Sequence, residues 1–171
     1  MQRDIRDALE QVTDLQALFD VVARGARRLG FEQCAYGLCL GLPFTNPKTL
    51  IISNYDARWQ RRYCDAGYLR IDPTVAHGMR SDSPLIWSNE LFRHAPQLWS
   101  EARSFDLRVG WAQSRFGAAG TVGMLSVARS HDALSTAEMA ARDAACGGWS
   151  SPLTSSCPRR FAVCMVSNDR R

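Results

Sequence analysis

Between Asp14 and Leu29 the apolar residues Leu15, Leu18, Phe19, Val22, Ala26 and Leu29 recur mostly at intervals of three and four. That is the period of one helix face, and Gly30 supplies a stop. From Cys34 to Leu42 the chain is small and apolar, Leu42-Pro-Phe-Thr-Asn-Pro47 reads as a turn, and Leu50-Ile-Ile52 resumes a strand-like run. Asp56 is placed to cap a helix through Ala57, Trp59, Tyr63 and Gly67, with Trp59 and Tyr63 four apart on one face. Asp72-Pro73 punctuates the chain ahead of a further helix to about Arg80. Ile86-Trp87 reads as a short strand, and two short helices joined near Pro96 are expected over 89–106. Val109 to Phe116 and Thr121 to Arg129 flank Gly117-Ala-Ala-Gly120 as a hairpin. No lysine follows those glycines and no strand-to-helix step is evident, so turn chemistry rather than a phosphate loop accounts for them. Ser135-Thr-Ala-Glu138 is a capping box that opens another helix.

At 171 residues the chain has room for one domain with a substantial core, and no internal repeat is visible. Its hydrophobic fraction of 46% and charged fraction of 22% argue against both disorder and a membrane class. The start, MQRDIRDALEQVTDLQ, carries no signal-peptide core, and no stretch of about 18 apolar residues occurs, which makes the cytoplasm the default location. The net charge of +4 is spread over separate segments, at Arg24, Arg27 and Arg28, at Arg61 and Arg62, and at Arg159, Arg160, Arg170 and Arg171, so no nucleic-acid stripe is apparent. Six cysteines form no C-x-x-C pair, and with the three histidines they fit no zinc pattern. Cys34, Cys39 and Cys64 read as reduced apolar fillers.

The chemistry concentrates between residues 54 and 87, where Tyr55, Trp59, Tyr63, Tyr68, Asp72 and Trp87 follow one another. Aromatics with polar tips beside one acid suit a pocket for a mostly apolar small molecule whose few polar atoms need orienting. The same set would serve as plain core, and spacing does not separate the two.

Ser53-Asn-Tyr-Asp-Ala-Arg-Trp-Gln-Arg-Arg-Tyr63, followed by Tyr68-Leu-Arg-Ile-Asp-Pro-Thr-Val75, resembles the autoinducer-binding domain of LuxR-type quorum-sensing regulators. Pro84-Leu-Ile-Trp87, Arg108-Val-Gly-Trp111 and Gly123-Met-Leu-Ser-Val-Ala-Arg129 continue the resemblance in order, over roughly residues 12 to 145. It implies an α+β fold, an α-β-α sandwich around a central antiparallel sheet of about five strands, PAS/GAF-like, enclosing an N-acyl-homoserine lactone between sheet and helices. It further implies that the Trp59 indole donates to the lactone carbonyl, Asp72 accepts from the ligand amide, Tyr55 donates to the acyl carbonyl, and the Ser126 hydroxyl assists at the amide. Tyr63 and Trp87 would wall the lactone end. No catalytic residue, metal or cofactor is implied. Near the acyl end Trp111, the Ala112-Gln-Ser-Arg115 run, Arg103 and Leu107 fix neither chain length nor a 3-oxo preference.

Beyond Ala145 the character changes, with Cys146-Gly-Gly-Trp-Ser-Ser-Pro152 breaking the helix and half of the cysteines lying from Cys146 onward. Residues 1–145 are therefore read as the binding domain and 146–171 as an atypical tail, frameshifted or disordered, with no segment resembling the helix-turn-helix that normally reads DNA. Such a chain would sense signal without touching DNA, alone as a homodimer or in mixed dimers with a full-length regulator. Two other classes stay open: an enzyme acting on the lactone, against which no G-x-S-x-G or H-E-x-x-H is present, and a PAS- or GAF-like sensor of another ligand.

Overall fold

The computed structural model of the chain describes residues 19–40, 48–117, 120–131 and 163–167. Helix α1 occupies 19–28 of these and ends as its periodicity requires. Gly30 takes φ +79°, its N–H donates to Arg27 O at 3.0 Å, and the Phe31 N–H reaches back to Ala26 O at 3.0 Å. This is the glycine-terminated closure that satisfies the last carbonyls of a helix. Strands β1 (Gln33–Leu40) and β2 (Lys48–Ser53) follow, then helix α2 (Ala57–Asp65), a single 3-10 turn at Tyr68–Arg70 and helix α3 (Pro73–Gly78). Strand β3 (Leu85–Ile86), helix α4 (Pro96–Ser104), strands β4 (Val109–Phe116) and β5 (Val122–Arg129), and strand β6 (Val163–Ser167) complete the described elements.

The strands form one sheet in the order β3-β4-β5-β1-β2-β6, each neighbour antiparallel. Alternation of side chains sorts the sheet into two faces. On one face Cys34, Leu50, Ile52, Trp111 and Val127 pack with Phe19, Ala23 and Ala26 of α1 and with Phe31. On the other, a second core of Trp59, Tyr68, Phe92, Leu98, Trp99, Ala102 and Leu107 gathers around α2 to α4. The α-β-α sandwich is therefore observed, with the site-bearing residues on the second face.

The expected antiparallel sheet is present, and among the described residues it counts six strands, the sixth being Val163-Cys-Met-Val-Ser167, which pairs with β2 from Lys48↔Ser167 to Ile52↔Val163. This short apolar, partly β-branched run covers what would otherwise be an unpaired edge, and it carries the sheet past residue 145. Two other expectations need correction. Residues 89–94 form hydrogen-bonded turns, not a helix, since Asn89 and its neighbours bend the chain ahead of Pro96. Cys64 is disulfide-bonded rather than reduced, whereas Cys34 and Cys39 are free. The helix expected from Ser135 and the residues before 19 lie outside the described residues.

Candidate functional site

Between the second sheet face and α2 to α4 lies a cavity of about 480 Å³, within the range of small-molecule sites. Its floor is built from alternate strand positions: Ala35, Gly37 and Cys39 of β1, Thr49, Ile51 and Ser53 of β2, Ser114 of β4, and Val122, Met124 and Ser126 of β5. Several of these residues are small, so the floor lies deep. A Cβ built at Gly37 would meet nothing within 4 Å, which means that open space stands above it.

Tyr55, Trp59, Tyr63, Asp72, Trp87 and Ser126 all line this one cavity. Tyr55 follows Asn54, whose side chain accepts from Cys34 N at 2.7 Å and donates to Glu32 O at 2.9 Å, pinning the end of β2 to the start of β1. Gln60 Nε2 donates to Tyr55 O at 2.7 Å. Asp56 starts α2 by accepting from Arg58 N at 2.7 Å, which sets Trp59 and Tyr63 one turn apart on the cavity side. Outside the cavity Arg62 ties α2 to α4 through Glu101, at 2.7 and 2.8 Å.

Asp72 performs two tasks at once. Its Oδ1 caps α3, accepting from Thr74 N at 2.8 Å and Thr74 Oγ1 at 2.7 Å, while Oδ2 accepts from the Tyr63 hydroxyl at 2.9 Å. Burial pushes its carboxyl above the ordinary range, and the bonds from Thr74 and Tyr63 oppose the rise. The Tyr63 proton is committed to Asp72, leaving this hydroxyl to act as an acceptor or a wall.

The aromatic wall is held by ring contacts. Trp59 lies 5.8 Å from Tyr63 edge-on and 5.6 Å from Phe105. Trp87 stands edge-on to Phe92 at 6.3 Å and to Trp99 at 6.4 Å, while Phe92 and Trp99 stack at 4.5 Å. Gly110 lets Trp87 in: a Cβ there would stand 2.3 Å from the indole ring.

Among the described residues three buried side-chain polar atoms have no partner, namely the Tyr55 hydroxyl, Trp87 Nε1 and Ser114 Oγ, and all three belong to residues of the cavity lining. A core pairs its polar atoms, because leaving one buried and unpaired costs on the order of 1–3 kcal/mol. Orphans gathered on one lining are what a site awaiting a polar partner presents. Burial, followed by the charges of Cys34 and Asp72, pushes the Tyr55 hydroxyl far above its ordinary range, so it stays a neutral donor.

Sequence reasoning placed some residues differently. Trp111 belongs to the α1-side core, not the acyl end, because it occupies the other parity of β4. Arg103 lies over the Trp99 ring at 5.7 Å and is not among the lining residues, whereas Leu107 is. Thr74, Trp99 and Gly78 were not singled out, and Ser114 figured only within the Ala112-Gln-Ser-Arg115 run near the acyl end. Thr74 was legible as the residue two after a cap, but the others depend on which strand parity faces the helices. Among the described residues the lining contains one carboxylate and no histidine, and no group of three or more metal-ligating side chains assembles. Cys34, on the opposite face, has its thiol pushed up to about 12 by burial. Among the described residues no helix is long and apolar enough to cross a membrane.

The family model for the autoinducer binding domain matches residues 14–168. The chain belongs to the autoinducer-binding domain family. It is 45% identical over 143 residues to the transcriptional activator protein AnoR of Acinetobacter nosocomialis, covering 82% of this chain and 60% of that protein. It is 45% identical over 131 residues to the transcriptional activator protein PhzR of Pseudomonas fluorescens, covering 77% and 54%. The chain thus spans little more than half the length of these curated relatives. Among solved structures, the N-acylhomoserine lactone dependent LuxR family transcription factor CepR2 from Burkholderia cenocepacia superposes with a TM-score of 0.68 at 29% identity, over 81% of this chain and 89% of that one. SdiA in complex with octanoyl-rac-glycerol gives 0.65 at 27% identity, over 72% of this chain and 52% of that one. The superposition on these structures agrees with the α-β-α layering.

Proposed function

We propose that this chain binds an N-acyl-homoserine lactone in the cavity, as the sensory domain of a LuxR-type transcriptional regulator. The observation that carries the reading is the union, among the described residues, of unpartnered donors and a single carboxylate in an otherwise largely apolar cavity of about 480 Å³. An acyl-homoserine lactone complements it, having two carbonyls that accept, one amide that donates and a hydrocarbon chain that needs burial. Trp59 donates to the lactone carbonyl, Tyr55 to the acyl carbonyl, and Asp72 with Ser126 holds the amide. Tyr63 orients Asp72 and walls the ring, and Trp87 brings a further unpartnered indole N–H. Donors and acceptors fixed beforehand lose little freedom on binding, so their pairing converts into affinity.

Binding is favoured over hydrolysis because, among the described residues, the one carboxylate of the lining is engaged by Thr74 and Tyr63 and no general base stands beside a nucleophile. We place the chain in the cytoplasm, pairing with itself or with a full-length regulator. A second reading, an acyl ester of a polyol, is favoured by the octanoyl-rac-glycerol that SdiA holds. Its hydroxyls would meet Asp72 where the amide otherwise does.

Both readings are tested by producing the chain in cells supplied with mixed acyl-homoserine lactones and monoacylglycerols, then identifying co-purified molecules by mass spectrometry. Intact lactone at about one per chain is expected. Retention of glyceride alone would select the second reading, ring-opened product would indicate a hydrolase, and retention of neither would remove both binding proposals.

A further inference from the structure

Ser114 is 1% exposed, lines the cavity and has no partner for its hydroxyl. Its surroundings explain why the protein leaves it unpaired. Helix α3 closes over it at Gly78, where a Cβ would stand 2.4 Å from Ser114 Oγ and 2.8 Å from Met124 Sδ, so the hydroxyl is enclosed without a side-chain partner being brought to it. The head-group residues do not claim it either. In the β4–β5 ladder Ala112 faces Ser126, and Ser114 faces Met124, one pair-row further along.

Ser114 and Ser126 are therefore diagonal neighbours on the cavity face, with Cα atoms about 7–8 Å apart. Two hydroxyls so spaced, each bonding at about 3 Å, are bridged by ligand polar atoms a few ångströms from one another. That is the separation of an amide from an oxygen on the third carbon of its acyl chain. A plain hydrocarbon at this point would leave the Ser114 hydroxyl dry and unpaired, whereas a ketone oxygen would accept from it and a hydroxyl would either accept or donate.

We infer that Ser114 reads an oxygen substituent on the acyl chain, so that this protein prefers a 3-oxo- or 3-hydroxyacyl-homoserine lactone to the unsubstituted lactone of equal length. The inference rests on the lactone reading above and specifies which lactones the same cavity selects.

The test offers the full chain an equimolar mixture of the unsubstituted, 3-oxo and 3-hydroxy lactones of one chain length and measures the ratio retained. Enrichment of an oxygenated form by about tenfold is expected, equivalent to about 1.4 kcal/mol. Which of the two predominates tells whether Ser114 acts as donor only or in both senses. With Ser114→Ala the enrichment should fall to about one. The unfolding midpoint of the free variant should stay equal or rise, since the substitution deletes an unpaired buried hydroxyl. Equal retention of all three forms by the unaltered chain overturns the inference whether or not the variant folds, as does a preference that survives Ser114→Ala. Retention of none overturns the lactone reading itself.

Discussion

Replacing Asp72 with asparagine should separate binding from folding. Asparagine caps a helix as well as aspartate does, so its side-chain oxygen can keep the bonds from Thr74 N and Thr74 Oγ1 that start α3. The new amide nitrogen then faces Tyr63, whose hydroxyl turns from donor to acceptor across the same 2.9 Å contact. Because burial holds the Asp72 carboxyl above its ordinary range, removing the charge relieves a cost at neutral pH. A change within about 1 kcal/mol, or roughly 2–4 °C in the unfolding midpoint of a chain of this size, is expected for the free protein. The ligand is affected differently, for its amide N–H would meet an N–H instead of a carboxylate. A hydrogen bond to a charged group contributes about 1.5–3 kcal/mol, so lactone affinity should fall roughly 10- to 150-fold. Thermal unfolding of the free variant, together with calorimetric titration of the lactone, provides both quantities. A variant that binds within about threefold of the parent would refute the role of Asp72 at the amide, and a collapsed fold would refute the account of the cap.

Tyr55→Phe removes an unpartnered hydroxyl, so the free protein should keep or gain stability while lactone affinity drops by about 0.5–1.5 kcal/mol in the same titration; a loss of stability with unchanged affinity would contradict this. The raised Asp72 carboxyl sets a pH dependence with two opposite signs. The free fold takes up this proton at higher pH than the unfolded chain, so from above the raised value down to 3.8 the group's contribution to stability grows. Lactone affinity, which needs the carboxylate, should weaken over the same interval and flatten in Asp72→Asn, as titrations across that range would reveal. Gly37→Val sets its Cβ in open cavity, with nothing within 4 Å, and competition between short- and long-chain lactones should shift toward the short by about 0.8 kcal/mol for each methylene excluded; an unshifted ratio would show that the chain does not pass over β1.

Much of the architecture was legible because it follows local rules. The α1 periodicity with Gly30, the Asp56 and Asp72 caps, and the glycine turn between β4 and β5 each rest on residues within a few positions of one another. The six site residues were legible only through the resemblance, since the aromatics around Asp72-Pro73 would serve equally well as plain core and Ser126 lies far from them along the chain. What escaped was set at long range. Trp111 and Ser114 lie three apart on one strand and so on opposite faces, and only the packing of α1 against one face and α3 against the other decides which of them meets the cavity. β6 escaped because an apolar run of five among turn-like residues carries little weight until the edge of β2 is seen to receive it.

The parity of the sheet also bears on how such a receptor can change its taste. Along β1, Cys34, Tyr36 and Leu38 serve the α1 core, while Ala35, Gly37 and Cys39 line the chamber. Substitutions at every second codon of β1 can thus remould the chamber while the packing that secures the fold stays intact. Divergence in signal preference is open to descendants of this scaffold one residue at a time, without passing through an unfolded ancestor.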